Sequence, residues 1–133
     1  MSISLEEIEI ELGKYLLTMS DIPAVAWQNR DVDPARPFFA VDHVPGSRID
    51  PTLDGYGETV TGQLMIYVVI AGNTFTKPAN SLVDKILMHF KYRTLISLTI
   101  GGILIVKPPE PLPGYRDGPD WRLPVRIDYE IQT

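Results

Sequence analysis

The chain has 133 residues, of which 44% are hydrophobic and 22% are charged, and it carries a formal net charge of −5. These values predict one globular domain, spanning 1–133, with a single hydrophobic core. The negative charge disfavours a protein that binds nucleic acid by neutralising phosphates. The absence of cysteine excludes a disulfide framework. The acidic start does not resemble a signal peptide, and no apolar run is long enough for a membrane-spanning helix.

Residues 3–19 have the pattern of an amphipathic helix. Ser4 and Glu7 are spaced as a capping box at its start. The main apolar face contains Leu5, Ile8, Leu12, Tyr15, Leu16 and Met19. A second apolar line, spaced by seven residues on roughly the opposite side, contains Ile3, Ile10 and Leu17. We interpret this line as a candidate contact between subunits, the alternative being scattered surface residues.

Two strands and two polar segments follow the helix. Residues 22–27 and 37–44 have the composition of strands. Residues 45–58 are rich in Gly, Pro, Asp and Ser, which predicts a long mobile loop. The candidate contacts of this loop with a partner are Arg48, Asp50, Asp54 and Tyr56.

The segment Thr59 to Ala71 is predicted to be the central strand. One face is wholly apolar, with Gly62, Leu64, Ile66, Val68 and Ile70. The other face is half polar, and its Met65 and Tyr67 are candidate contacts with another copy of the chain. The helix expected over 78–92, with Thr76 as its expected N-cap, carries an apolar stripe that would cover the first face.

The C-terminal part is predicted to contain a hairpin and a long strand. Residues 95–98 and 103–107 form the hairpin, with a glycine pair in its turn. The Pro-rich residues 107–120 are expected to form a semi-extended loop. The last strand, 121–132, alternates cleanly, and Pro124 is expected at a sheet edge or strand start. Together these elements predict an α/β (α+β) sandwich, with a mostly antiparallel mixed sheet of four to six strands and both helices on one face.

No constellation of catalytic residues is evident in the sequence. His43 and His89 are far apart, no metal-ligand spacing is present, and both are interpreted as structural or surface residues. Asp50, Asp54 and Glu58 lack the spacing of a calcium loop and are interpreted as a solvated acidic segment. We therefore expect no enzyme activity, no metal and no cofactor.

The order of the segments resembles the tail terminator (tail completion) proteins of long-tailed bacteriophages and prophages. The resemblance rests on the N-terminal helix and on AVAWQN at 24–29, PFFAVDHVP at 37–45, TGQLMIYVVIAG at 61–72, SLVDKILMHFK at 81–91 and WRLPVRIDYEI at 121–131. It covers nearly the whole chain.

This resemblance implies a structural virion protein of the tail neck, assembled in the host cytoplasm. It implies a hexameric ring that caps the tail tube, stops tube polymerisation and offers a surface to the head connector. Arg48, Asp50, Asp54 and Tyr56 of the predicted loop would then be the candidate contacts with the tail tube. DNA would pass through the lumen without specific binding. The alternatives are another neck protein, such as a head-closure or adaptor component, and a small ligand-binding or enzymatic ferredoxin-like domain.

Overall fold

The computed structural model describes residues 3–28, 34–49, 58–73 and 77–132. Within them the chain forms two helices and eight strands in a mixed sheet. The elements are α1 (Leu5–Leu17), β1 (Ala24–Trp27), β2 (Phe38–Ile49), β3 (Thr59–Ala71), α2 (Lys77–His89), β4 (Leu95–Ser97), β5 (Gly102–Ile105), β6 (Glu110–Pro111), β7 (Tyr115–Asp117) and β8 (Asp120–Gln132).

Strand β3 lies at the centre of the sheet, as the sequence predicts. The strand order is β1-β2-β3-β8-β5-β4, so β1 and β4 form the two edges. β3 and β8 pair antiparallel along their whole length, from Thr59 opposite Gln132 to Ala71 opposite Asp120. β1 runs parallel to β2, whereas the other pairs are antiparallel. β4 and β5 form the expected hairpin, and its turn residue Gly101 has a φ of +74° that favours glycine.

Both helices pack on the same face of the sheet, which confirms the predicted α+β fold. In α1, the Ser4 hydroxyl accepts a hydrogen bond from the Glu7 backbone N–H at 3.2 Å, as an N-cap should. The inward residues of both helices and the apolar faces of β3 and β8 form one core, which includes Ile8, Leu12, Leu16, Val83, Ile86, Phe90, Leu64, Ile66, Val68, Val125, Ile127 and Ile131. We call this side of the sheet the covered face and the other side the open face.

The prediction of a loop over 45–58 is wrong for its first residues, because 45–49 belong to β2. β2 continues to Ile49, and Arg48 and Ile49 pair with Val60 and Thr59 after a register shift that begins at Pro45. The shift explains why the Pro and Gly content resembled a loop, because a bulge accommodates both residue types within a strand. Asp50, Asp54 and Tyr56 lie outside the described residues, as does Thr76.

The Pro-rich segment 107–120 is not a free loop. β6 and β7 pair with β8, and these two short strands bring the sheet to more strands than the four to six expected. Ion pairs hold the segment in place, since the Arg126 guanidinium lies 2.6 Å from Glu110 and that of Arg122 lies 2.9 Å from Asp117. Pro124 lies inside β8, and its carbonyl accepts from the Leu112 N–H at 2.9 Å. Proline has no N–H group. At this position an N–H would point toward Leu112, between β6 and β7, where the pairing with β8 is already interrupted.

Candidate functional site

A chain of three polar side chains joins α1 to the covered face of the sheet. His43 Nδ1 lies 2.9 Å from the Glu9 carboxylate, and His43 Nε2 lies 2.5 Å from the Tyr129 hydroxyl. The carboxylate can only accept, so Nδ1 donates to it, while Nε2 and the Tyr129 hydroxyl form the second hydrogen bond. Only 4% of the His43 side chain is exposed. Each of the three side chains has a hydrogen-bond partner within the cluster, so the cluster connects the helix to the sheet. We name Glu9, His43 and Tyr129 the joint.

The position of Tyr129 depends on the glycine opposite it in β3. Gly62 pairs with Tyr129, and a β-carbon at Gly62 would collide with the tyrosine hydroxyl and ring. Burial raises the pKa of Tyr129 to about 12. The phenol therefore stays protonated at neutral pH and remains a hydrogen-bond donor. This joint was not predicted from the sequence. The signal for it was the presence of two polar residues, His43 and Tyr129, on otherwise apolar strand faces, with Gly62 on the strand between them.

A second polar contact fixes the beginning of α1 and changes the interpretation of two candidate residues. Arg48 donates to the Ile3 carbonyl at 2.8 Å and to the Glu58 carboxylate at 3.0 Å, while the Ile3 N–H donates to the same carboxylate. Ile3 is only 4% exposed and belongs to the core. It is therefore not on an outward apolar line, and Arg48 ties β2 to the first helix instead of extending from a loop.

The outward side of α1 retains two exposed apolar residues. Ile10 is 46% and Leu17 is 57% exposed. Gly13, which lies between them on the helix surface, is covered by Trp27, and a β-carbon there would lie 3.2 Å from the indole ring. The predicted line is thus reduced to Ile10 and Leu17, and we name this pair the α1 ridge.

A groove lies beside the α1 ridge, between α1 and the edge strand β1. It has a volume of about 270 Å³. Its apolar walls include Leu12, Leu16 and Trp27, and its polar end includes Glu9 and Gln28. We name it the edge groove.

The open face of the sheet combines charged residues with a half-buried apolar strip. Met65 pairs with Asp42 on one side and Arg126 on the other, which places it between opposite charges. Tyr67 packs against a small cluster of Ala26, Phe38 and Val69. Burial is the main cause that raises the pKa of Tyr67. Met65 and Tyr67 both lie on the uncovered side of the sheet, as the period-two pattern predicted.

The edge of the sheet at β4 is basic and partly apolar. Lys91, Tyr92 and Arg93 are all exposed in the turn between α2 and β4, and Leu95 is exposed at the start of the strand. The Arg93 guanidinium lies 5.4 Å from the centre of the Tyr92 ring, which is a cation–π distance. Arg93 has a φ of +74° and its N–H donates to the Ile105 carbonyl, so this turn is fixed to the sheet. We name Lys91, Tyr92, Arg93 and Leu95 the basic edge.

His89 joins the two helices. Its ring stacks on Tyr15, with centroids 4.2 Å apart, and its Nε2 lies 2.7 Å from the Tyr15 carbonyl. Among the described residues, no group of three or more His, Cys, Asp and Glu side chains is placed to hold a metal ion. No helix in the described ranges is long and apolar enough to cross a membrane.

Comparison with known proteins gives one informative family match. A family model described as phage tail terminator protein matches residues 7–129. A solved structure with 16% sequence identity aligns over 99% of this chain and 98% of its own, with a TM-score of 0.77. That likeness shows the fold alone. No protein among the curated ones matches the chain.

The matched region runs from the first turn of α1 almost to the end of β8, and thus includes nearly all of both helices and the sheet, together with Glu9, His43 and Tyr129 and the two sheet edges. The family is structural and its members are components of the virion tail. The chain therefore belongs to the phage tail terminator family.

Proposed function

We propose that this protein forms a closed ring of six copies at the neck end of the tail. The ring ends the polymerisation of the tail tube protein and presents a surface to the head connector. Its role is structural and non-enzymatic, and it is assembled in the host cytoplasm. Family membership supports the general role.

The observation that carries the proposal is the α1 ridge. Ile8, Leu12 and Leu16 of α1 are already buried against the sheet, whereas Ile10 and Leu17 are exposed and add nothing to the core of a single chain. Contiguous exposed apolar patches mark interaction sites, and a contact between copies would cover Ile10 and Leu17 together, since both lie on the outward side of α1. A closed ring lets every copy bury such residues with one repeated contact.

Met65 and Tyr67 are further candidates for contact between copies. They lie on the open face, which no helix of the described chain covers. The remaining candidates for contact with the tube are Asp50, Asp54 and Tyr56, which stay predictions because they lie outside the described residues.

The charge of the protein is compatible with the passage of DNA. Each copy has a net charge of −5, so a ring of six has strong negative charge overall. Phosphates bind proteins chiefly through lysine and arginine, and their neutralisation dominates non-specific affinity. We propose that DNA crosses the lumen without being retained.

The function is tested by complementation of a phage that lacks this protein. Wild-type protein should restore tails of uniform length that join to heads, as measured by electron microscopy. The double variant Ile10→Asp with Leu17→Asp should fail, giving tails of excessive or irregular length. Normal tails with the double variant would show that the ridge is not an assembly surface.

A matched control separates assembly from folding. Ile49 is 58% exposed, nearly the same as Leu17, and lies at the end of β2. In native mass spectrometry, Ile49→Asp should retain the ring and the ridge variant should lose it. Circular dichroism should show that both variants are folded.

A further inference from the structure

We propose that the ring is built head-to-tail, with the basic edge of one copy inserted into the edge groove of the next. The partner is a second copy of this chain. The edge groove would bind the aromatic side chain of Tyr92 and the neighbouring cationic side chain of Arg93. This inference rests on the proposed function, because it names the contact that closes the proposed ring.

The two surfaces lie at opposite edges of one sheet. The edge groove borders β1, whereas the basic edge leads into β4, and these strands are the two ends of the strand order. A contact between two different surfaces of identical chains repeats in one direction, and it closes into a ring when the rotation per copy is suitable. The positions of the two surfaces therefore favour a ring over a symmetric dimer.

The charges of the two surfaces are complementary. Glu6 is exposed on α1, and Glu9 lies at the polar end of the edge groove. On the other edge, Lys91 and Arg93 form no ion pair with any residue in the ranges that the structure describes. Complementary charge orients a contact and accelerates its formation.

The volume and lining of the groove fit a planar side chain. Its volume of about 270 Å³ is below the range of roughly 300–1,000 Å³ that is typical of small-molecule pockets. Trp27 forms one wall, and an arginine guanidinium stacks well on an indole while donating to a carboxylate such as Glu9. Tyr92 and Arg93 already pack together in a fixed turn, so little conformational freedom is lost when they dock.

Cross-linking tests the contact directly, because the chain has no native cysteine. The double variant Gln28→Cys, at the polar end of the edge groove, with Tyr92→Cys, treated with a short bismaleimide under ring-forming conditions, should give a ladder of covalent oligomers up to the full ring. Each single variant should stay monomeric on a denaturing gel. The control pair Ile49→Cys with Tyr92→Cys should also stay monomeric.

The outcomes separate this inference from the proposed function. Rings in native mass spectrometry without a ladder, or with equal cross-linking of the control pair, would overturn the contact and leave the ring intact. Dimers from a single variant would show a symmetric contact instead. The absence of any ring, even on tail tubes, would overturn both proposals.

Charge reversal gives an independent test. Arg93→Glu should raise the concentration needed for ring formation by at least about tenfold, since it places like charges together. Lys77→Glu changes the net charge equally, but at the opposite end of α2, and should leave that concentration unchanged. Equal effects of the two variants would contradict the proposed contact.

Discussion

The two faces of the sheet are stabilised in different ways. On the covered face, Ile66, Val68 and Ile127 are fully buried beneath the helices, and the polar side chains of the joint satisfy one another. On the open face, Arg126 and Arg122 are held by ion pairs at the surface. Apolar burial contributes more to folding than surface ion pairs do. The comparison indicates that the covered face determines stability, while the open face and the outward surfaces are free to serve assembly.

The largest difference between the faces should appear at two neighbouring residues of β3. Ile66→Ala, on the covered face, should lower the free energy of unfolding by about 2–5 kcal/mol, because it leaves a cavity in the core. Met65→Ala, on the half-buried open face, should cost much less. Urea unfolding of both variants measures this difference. Equal losses would show that the open face contributes to the fold as strongly as the covered face.

The space around Gly62 offers the next test. Replacing glycine with alanine at an ordinary position in a chain stabilises by about 0.4–1 kcal/mol. At Gly62 the added methyl group would displace Tyr129, so Gly62→Ala should instead destabilise by about 1–3 kcal/mol. Thermal unfolding gives the sign, and near-ultraviolet circular dichroism should show a changed tyrosine environment. An increase in stability would refute the close packing of Gly62 on Tyr129.

Removal of the Tyr129 hydroxyl should change both stability and its pH dependence. Tyr129→Phe leaves His43 Nε2 without its partner and should cost about 1–3 kcal/mol at neutral pH. In the wild type, burial raises the pKa of Tyr129 from 10.0 to about 12. The resulting stabilisation is complete below pH 10 and is lost as the pH rises toward 12.

Urea midpoints measured from pH 8 to 12 test this assignment. The wild type should lose stability over that interval more steeply than the phenylalanine variant. Parallel curves would exclude Tyr129 as the residue responsible.

The smallest effect is expected from the ion pairs of the open face. Arg126→Gln removes the 2.6 Å contact with Glu110 and should lower the free energy of unfolding by less than about 1 kcal/mol. The hydrogen bond from Lys107 lowers the pKa of the Glu110 carboxyl. The stabilisation that this carboxylate provides is therefore present above the usual pKa of glutamate and is lost as the pH falls through the lowered pKa. Urea unfolding at neutral pH measures the loss. A loss as large as that of Ile66→Ala would remove the distinction between the two faces.

The elements with regular apolar spacing were predictable from the sequence. The alternation in β3 and β8 and the stripe of α2 follow from local periodicity, and the structure buries those residues. Pairing of the Pro-rich segment was not predictable, because it depends on ion pairs with β8 that composition does not reveal. The joint of Glu9, His43 and Tyr129 links distant positions, so only the folded sheet brings them together.

The candidate assembly residues also divide into those that local periodicity predicts and those that depend on the folded structure. Ile10 and Leu17 were identified correctly as outward residues, because helical spacing alone determines their direction. Ile3 precedes the first turn, where the chain bends toward the core and the helical period no longer applies. The edge groove and the basic edge depend on strand order and were not apparent from the sequence.

The proposed capping ring can be observed by electron microscopy of purified tail tubes incubated with the protein. One closed ring of six copies should be seen at a single end of each tube, and tubes capped in this way should no longer elongate when tube protein is added. Protein that stays monomeric and absent from tube ends, or tubes that elongate past it, would show that the protein does not terminate tails.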